Sequence, residues 1–228
     1  MLNEFWQIDW FPIRLTLQVA TLATLISLFV GLILGYLLAR RRLPAGEIID
    51  SLISLPLVLP PTVLGYYLLV LLGANSPIGK LWENIFGGPL IFTWLAAVIA
   101  ATVHSLPLMI KSARVAIEEV PSEIETAAQT LGANKWKVFF YVTLPLAKRG
   151  LIAGAMLTFT RSLGDFGATI MIAGNIPGRT QTVAVAIYDA VQAGRDNQAF
   201  TLVVIISCIA FILLYLFNIV NLGKKQVM

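Results

Sequence analysis

Residues Leu15 to Ala39 read LTLQVATLATLISLFVGLILGYLLA and are followed at once by Arg40, Arg41 and Arg42. A hydrocarbon core about 30 Å thick needs about 20 apolar residues at a helical rise of about 1.5 Å each, so this run is long enough to cross a bilayer. It is too long for the core of a signal peptide. Its charges also come after the apolar run, where a signal peptide has them first, so it is expected to stay in the mature protein. The rest of the chain agrees: 58% of the 228 residues are apolar and only 12% are charged, with a mean hydropathy of +0.84. These values exclude a soluble globular chain. The net charge of +4 sits in short basic clusters beside apolar runs, as topology signals do, and does not indicate nucleic-acid binding. Cys208 is the only cysteine, which rules out an intrachain disulfide and a cysteine-cluster metal site.

Four further stretches reach spanning length, giving expected spans at roughly 15–39, 51–72, 90–110, 148–172 and 199–221. Their length and lack of period-two alternation predict helices and exclude barrel strands. The chain is expected to be a single all-α, polytopic membrane domain covering 1–228, with no internal repeat. Longer connections fall at 111–147 and 173–198. Positively charged loops are retained on the cytoplasmic side. That rule puts Arg40, Arg41, Arg42, Lys111, Arg114, Lys135, Lys137, Lys148, Arg149, Lys224 and Lys225 inside, and Arg14, Lys80, Arg179 and Arg195 outside. The N-terminus is then external, and the C-terminus and the 111–147 loop are cytoplasmic. Pro60 and Pro61 are expected to break helical hydrogen bonding near the inner end of the second span, either opening backbone groups to a cavity or simply kinking the helix.

Within that loop, Ser122 and Glu125 have the S-x-x-E spacing of a capping box, and Gly132 is placed to end the helix that it starts. Ile124, Ala127, Ala128 and Leu131 recur at i, i+3, i+4 and i+7, an apolar stripe on a helix too short to span. A second amphipathic stretch carries Lys135, Trp136, Lys137, Phe139 and Phe140 and leads through Pro145 into the fourth span. Such a platform either lies in the lipid interface or docks a partner.

The run E-T-A-A-Q-T-L-G from Glu125 to Gly132, with Pro145 thirteen residues after the glycine, resembles the coupling-helix motif (the EAA loop) of bacterial ABC-importer permeases. Glu125, Ala127, Ala128, Leu131, Gly132 and Pro145 are the matching positions. Thr126 stands where many members carry the glutamate, and Glu125 comes one position earlier. The resemblance implies that this helix docks in a groove of a separate ATP-binding subunit and passes the closure of that subunit to the spans. No phosphate-cradling loop occurs here, because Gly79 and Lys80 are preceded by Ala74 where its first glycine would stand and followed by Leu81. ATP and Mg would therefore belong to the partner, and this chain would bind no cofactor or metal.

The segment R-S-L-G-D-F-G-A-T runs from Arg161 to Thr169, with Gly164 and Gly167 inside it. An arginine and an aspartate within a span cost about 2.5 to 3.5 kcal/mol each, so both should face protein or water. Arg161 and Asp165, at i and i+4, either neutralise each other on one helix face or line a path where positive potential favours an anion. With L-P-L-V-L-P-P-T-V-L-G from Leu55 to Gly65 and N-I-P-G-R-T-Q-T from Asn175 to Thr182, the chain resembles the permeases of molybdate importers, and less closely those for sulfate, thiosulfate and tungstate. That family implies a cytoplasmic-membrane permease fed by an extracytoplasmic molybdate-binding protein; pairing with a second copy is expected because one set of five helices is too few to enclose and gate a path alone. His104, the only histidine, could relay protons, but with no second titratable partner evident in the apolar runs it is expected to hold a hydrogen-bonded structural role. The 173–198 loop is either a docking surface or a connector. A secondary transporter or channel would need coupling-ion carboxylates, inverted repeats or a filter. A membrane enzyme would need a nucleophile or metal spacing that the spans lack, and no catalytic residue is assigned.

Overall fold

The computed structural model describes residues 9–40 and 46–222; Arg41, Arg42, Lys224 and Lys225, and both chain ends, lie outside the described residues. Every described element is helical. Four helices are long and apolar enough to cross a membrane, and a bent pair makes up to five. The first is α1, Phe11–Arg40. The expected second span is two helices, α2 (Gly46–Val58) and α3 (Pro61–Leu72), meeting at 107°. Pro60 and Pro61 cause the break: neither offers an N–H, and Pro61 restarts the chain as the first residue of α3.

A short helix absent from the sequence reading follows, α4 (Pro77–Phe86), which Ser76 caps by accepting from Gly79 N at 2.8 Å. The third span, α5, runs Trp94–Glu118. It starts at the Thr93 cap and continues past Lys111 and Arg114, well beyond the expected end at 110. The 111–147 segment is largely helical, with α6 (Ser122–Thr130), α7 (Lys135–Val138) and a π-helical turn at Phe139–Thr143. That turn runs directly into α8 (Leu144–Leu163). The fourth span is therefore earlier than expected: it stops at Leu163, and α9 (Gly167–Ala173) is separate. The 173–198 connection contains α10 (Val183–Gln192), and α11 (Asp196–Leu222) closes the chain.

Glycine sets how closely the long helices approach. A Cβ on Gly31 would stand 2.6 Å from Met109 Cγ, and one on Gly35 would stand 2.7 Å from Ala113 Cβ. This register makes α1 and α5 parallel. A Cβ on Gly150 would meet Ala116 Cβ at 2.5 Å and one on Gly154 would meet Ser112 Cβ at 2.4 Å, a descending register that makes α8 antiparallel to α5. Such contacts suit a lipid setting, where backbone approach replaces the hydrophobic effect between helices. Neither Cβ partner of α8 is a flexible side-chain end, so Gly154→Leu is expected to destabilise the chain by about 1–3 kcal/mol. The check is the Tm of detergent-purified protein; an unchanged Tm would exclude a tight α5–α8 contact there.

The core is layered along the bundle. At one end Leu15, Val19 and Ala23 of α1 pack with Leu64 and Leu68 of α3, Ala97 and Ala101 of α5, and Ile172 of α9. Toward the other end Met109, Ala113, Ala116 and Ile117 pack with Ala147 and Leu151 of α8. Between them in the α5 sequence come Thr102, His104 and Ser105, all buried. The bundle's ends also differ in charge. Arg40 ends α1, Arg114 lies near the end of α5, and Lys148 and Arg149 lie near the start of α8, so these basic residues gather at one end.

Candidate functional site

Two places carry the chemistry: the short helix α6 at the basic end, and the buried polar layer at the α8–α9 break.

In α6 the capping box does not form. Pro121 is the N-cap, with no side-chain cap bond, and Ser122 is already inside the helix. Glu125 is used elsewhere. Its Oε1 accepts from Arg40 NH2 at 2.9 Å and from Thr143 Oγ1 at 2.5 Å, while Arg40 NH2 also donates to Val120 O at 3.1 Å. The carboxylate therefore ties α6 to the end of α1 and to the π-turn that opens α8. Charge-assisted bonds shielded from water are the strong ones, and the Arg40 and Glu125 side chains are only 20% and 12% exposed. Tyr36 reinforces the joint by meeting Phe139 edge to face at 5.0 Å. Arg40 and Thr143 were missed from sequence because 85 and 18 residues separate them from Glu125, and no local spacing signals such a pair.

The apolar stripe of α6 is not buried within the chain. Ile124 is 45% and Leu131 89% exposed; Ala127 is exposed and Ala128 half-buried. Gly132 ends the helix as expected, with φ +89° and its N–H donating to Gln129 O at 2.9 Å. A helix commonly stops on a left-handed residue, which glycine adopts without strain. Pro145 is exposed in the first turn of α8. The π-turn before it, closed by Leu144 N–H to Phe139 O, lengthens the repeat just where proline would crowd the preceding carbonyls.

At the second place, of the two alternatives for Arg161 and Asp165, mutual neutralisation along one helix does not occur. Helix α8 ends at Leu163, Gly164 is its C-cap, and Asp165 lies beyond it. Gly167 serves packing: a Cβ there would meet Pro61 Cβ at 2.8 Å, so its absence seats α9 against the start of α3. Asp165 Oδ1 instead lies 2.7 Å from His104 Nδ1, with both side chains buried. Asp165 Oδ2 accepts from Thr169 N at 3.0 Å and Thr169 Oγ1 at 2.5 Å, fixing the first turn of α9. Arg161 NH2 contacts His104 Nε2 and lies 3.2 Å from Nδ1. One level along, Ser162 Oγ donates to Ser105 Oγ at 3.0 Å. His104 is hydrogen-bonded as expected, but it has two charged neighbours where no titratable partner was expected. Within this layer His104, Ser105, Ser162, Asp165 and Thr169 each have a partner, which a membrane interior demands. Asp165 reaches Thr169 from the residue before the N-cap, Phe166, a spacing that no capping motif signals; the histidine's contact with both charges depends on the α5–α8 register.

A bundle of long apolar helices and one bent pair, with a short exposed amphipathic helix at one end and a charged layer in its interior, defines a polytopic membrane permease. The chain belongs to the family of binding-protein-dependent transport system inner membrane components, whose profile matches residues 27–225. It is 45% identical over 205 residues to the molybdenum transport system permease protein of Escherichia coli (strain K12), covering 90% of each chain. A putative molybdenum transport system permease protein of Bacillus subtilis (strain 168) is 43% identical, again over 90% of each chain. The sulfate transport system permease protein of Escherichia coli (strain K12) is 34% identical, over 94% of this chain and 79% of its own length. The fold is that of solved ABC-transporter chains. The inward-facing MetNI methionine ABC transporter aligns with a TM-score of 0.71 at 18% identity, covering 95% of this chain and 97% of that chain. A bacterial transporter involved in importing the acidic polysaccharide alginate aligns with a TM-score of 0.73 at 13% identity, covering 99% of this chain and 83% of that chain.

Proposed function

We propose that this chain is the membrane permease subunit of an ATP-driven importer that carries molybdate into the cytoplasm. The observation that carries the substrate is the 45% identity to a molybdenum permease across 90% of both chains, against 34% to a sulfate permease. In this assignment the basic end of the bundle is cytoplasmic, the N-terminus is external and the C-terminus internal. Two copies related by a twofold axis enclose the path, since one set of spans is too few to surround it. An ATP-binding subunit with its own ATP and Mg grips α6, and an extracytoplasmic molybdate-binding protein delivers the anion. No covalent chemistry takes place on this chain; alternation between outward and inward access moves the substrate.

Ile124, Ala127 and Leu131 are the docking face of α6, Ala128 allows close approach, and Glu125 carries the motion inward to α1 and α8. Replacing Glu125 with alanine leaves Arg40 and Thr143 without this partner, a loss of about 1.5–3 kcal/mol for a bond to a charged group. Glu125→Ala is thus expected to retain ATP hydrolysis in the assembled importer while lowering molybdate transported per ATP severalfold. An unchanged ratio would show that the link to Arg40 carries no force.

The decisive experiment co-purifies the chain with its ATP-binding subunit, reconstitutes them in liposomes and adds binding protein loaded with molybdate, tungstate or sulfate. Molybdate should stimulate ATP hydrolysis most. Stimulation by sulfate alone would reassign the substrate, and failure to co-purify an ATPase would favour a secondary transporter or channel.

A further inference from the structure

Arg161, His104 and Asp165 come from the last turn of α8, the middle of α5 and the link before α9, and the imidazole contacts both charged groups. A guanidinium is only a donor, so the ring nitrogen facing it must present a lone pair. An imidazole with its proton on Nδ1, donated to Asp165 Oδ1 at 2.7 Å, leaves such a lone pair on Nε2, the ring nitrogen nearer to Arg161 NH2. One neutral tautomer satisfies both neighbours; an imidazolium would turn a second cation toward Arg161. The carboxylate is also fully engaged, with Oδ2 held by Thr169 N and Oγ1, and it has no direct contact with Arg161 among the described residues.

Arg161 has no other hydrogen-bond partner among the described residues, so the second N–H of NH2 remains as a donor beside those of Nε and NH1. One side of its helix face is open: Leu157 and Gly164, one turn before and one turn after, are exposed, while Thr158 and Asp165 on the other side are buried. A guanidinium with a free edge grips a tetrahedral oxyanion through two parallel N–H bonds. A direct pair with Asp165 would cancel that charge.

We propose that His104 is a positioning residue that holds Arg161 apart from Asp165, so that the guanidinium stays un-neutralised and is presented edge-on to the oxyanion being transported. The inference rests on Arg161 lining the translocation path. Asp165 orients the ring and secures α9, and its negative charge is kept one imidazole away from the anion.

The test uses the reconstituted importer with molybdate-loaded binding protein, and transport is normalised to permease in the membrane. His104→Phe keeps a ring but has no nitrogen, so Arg161 is free to close on Asp165; transport is expected to fall at least tenfold. Adding Asp165→Asn removes the charge that captures Arg161 and is expected to restore transport at least threefold over His104→Phe alone. A merely structural role predicts the opposite, because the second change removes another buried contact. His104→Gln, whose amide donates and accepts, is expected to stay within twofold of the unmodified chain. It keeps the test open if His104→Phe fails to insert: an inserted Gln variant below a tenth of normal transport overturns the proposal. A double variant no better than His104→Phe, while Arg161→Ala is impaired, overturns the spacer role alone. Normal transport by Arg161→Ala overturns the path assignment and the spacer with it.

Discussion

With proline in place of Gly132, molybdate uptake should fall to background while the chain still accumulates in the membrane. Gly132 has φ +89°, whereas proline is locked near −65°. The Gly132 N–H also donates to Gln129 O, a bond that proline cannot make. Together these cost about 3 kcal/mol or more, which is enough to unwind the last turn of so short a helix. The next residue, whose N–H closes onto Ala128 O at 3.0 Å, would be displaced as well. A Cβ at Gly132 meets nothing within 4 Å, so Gly132→Ala carries only the left-handed strain of about 1–2 kcal/mol and should transport at an intermediate level. Ala127→Trp isolates the docking face. Ala127 is exposed, so a bulky side chain there leaves the fold alone and obstructs only a partner's groove. Labelled uptake in cells, with membrane-fraction immunoblots as the control, reads all three; normal uptake by Gly132→Pro or Ala127→Trp would remove α6 as the coupling element.

Arg161→Ala is expected to lower uptake of the dianion at least tenfold, and Arg161→Lys considerably less. Alanine removes the positive charge from the interior. It also strips His104 of its Nε2 contact, leaving a buried ring nitrogen to find another partner. Lysine restores a cation, but as a compact point charge on a flexible stem it cannot offer two donors in one plane. The ordering of arginine, lysine and alanine in initial uptake rate is therefore the measurement. Equal rates for the two variants would mark Arg161 as a helix-terminal structural contact.

Much of the molecule was legible from one sequence because a bilayer makes simple demands. A buried backbone in hydrocarbon must be helical, and each crossing must be long and apolar, so α1, α5 and α11 lie close to where the apolar runs put them. The Pro60–Pro61 break and the stop at Gly132 were equally local, since each depends on one residue's missing donor or permitted φ. The segment from Lys135 to Thr143 was harder: its charges suggested a separate surface helix, yet a π-turn joins it to α8. The fourth span's end was misread because hydropathy continues smoothly through Gly164 to Ala173 while the backbone does not.

What only the tertiary structure decided are the partners of charged groups. Ser122 and Glu125 had the spacing of a cap, but a carboxylate within reach of a half-buried guanidinium gains more there than from an exposed amide, so Glu125 turned to Arg40. Arg161 and Asp165 had the spacing of an ion pair, but the helix ended between them and α5 brought His104 into the gap. The amino-acid sequence by itself determined the class of protein, the approximate places of its apolar helices and the short helix α6, because these follow from local composition and backbone sterics. Which charge meets which was settled by the glycine-tuned approach of α1, α5 and α8, because electrostatic pairing depends on distances of a few ångströms between residues far apart in the chain.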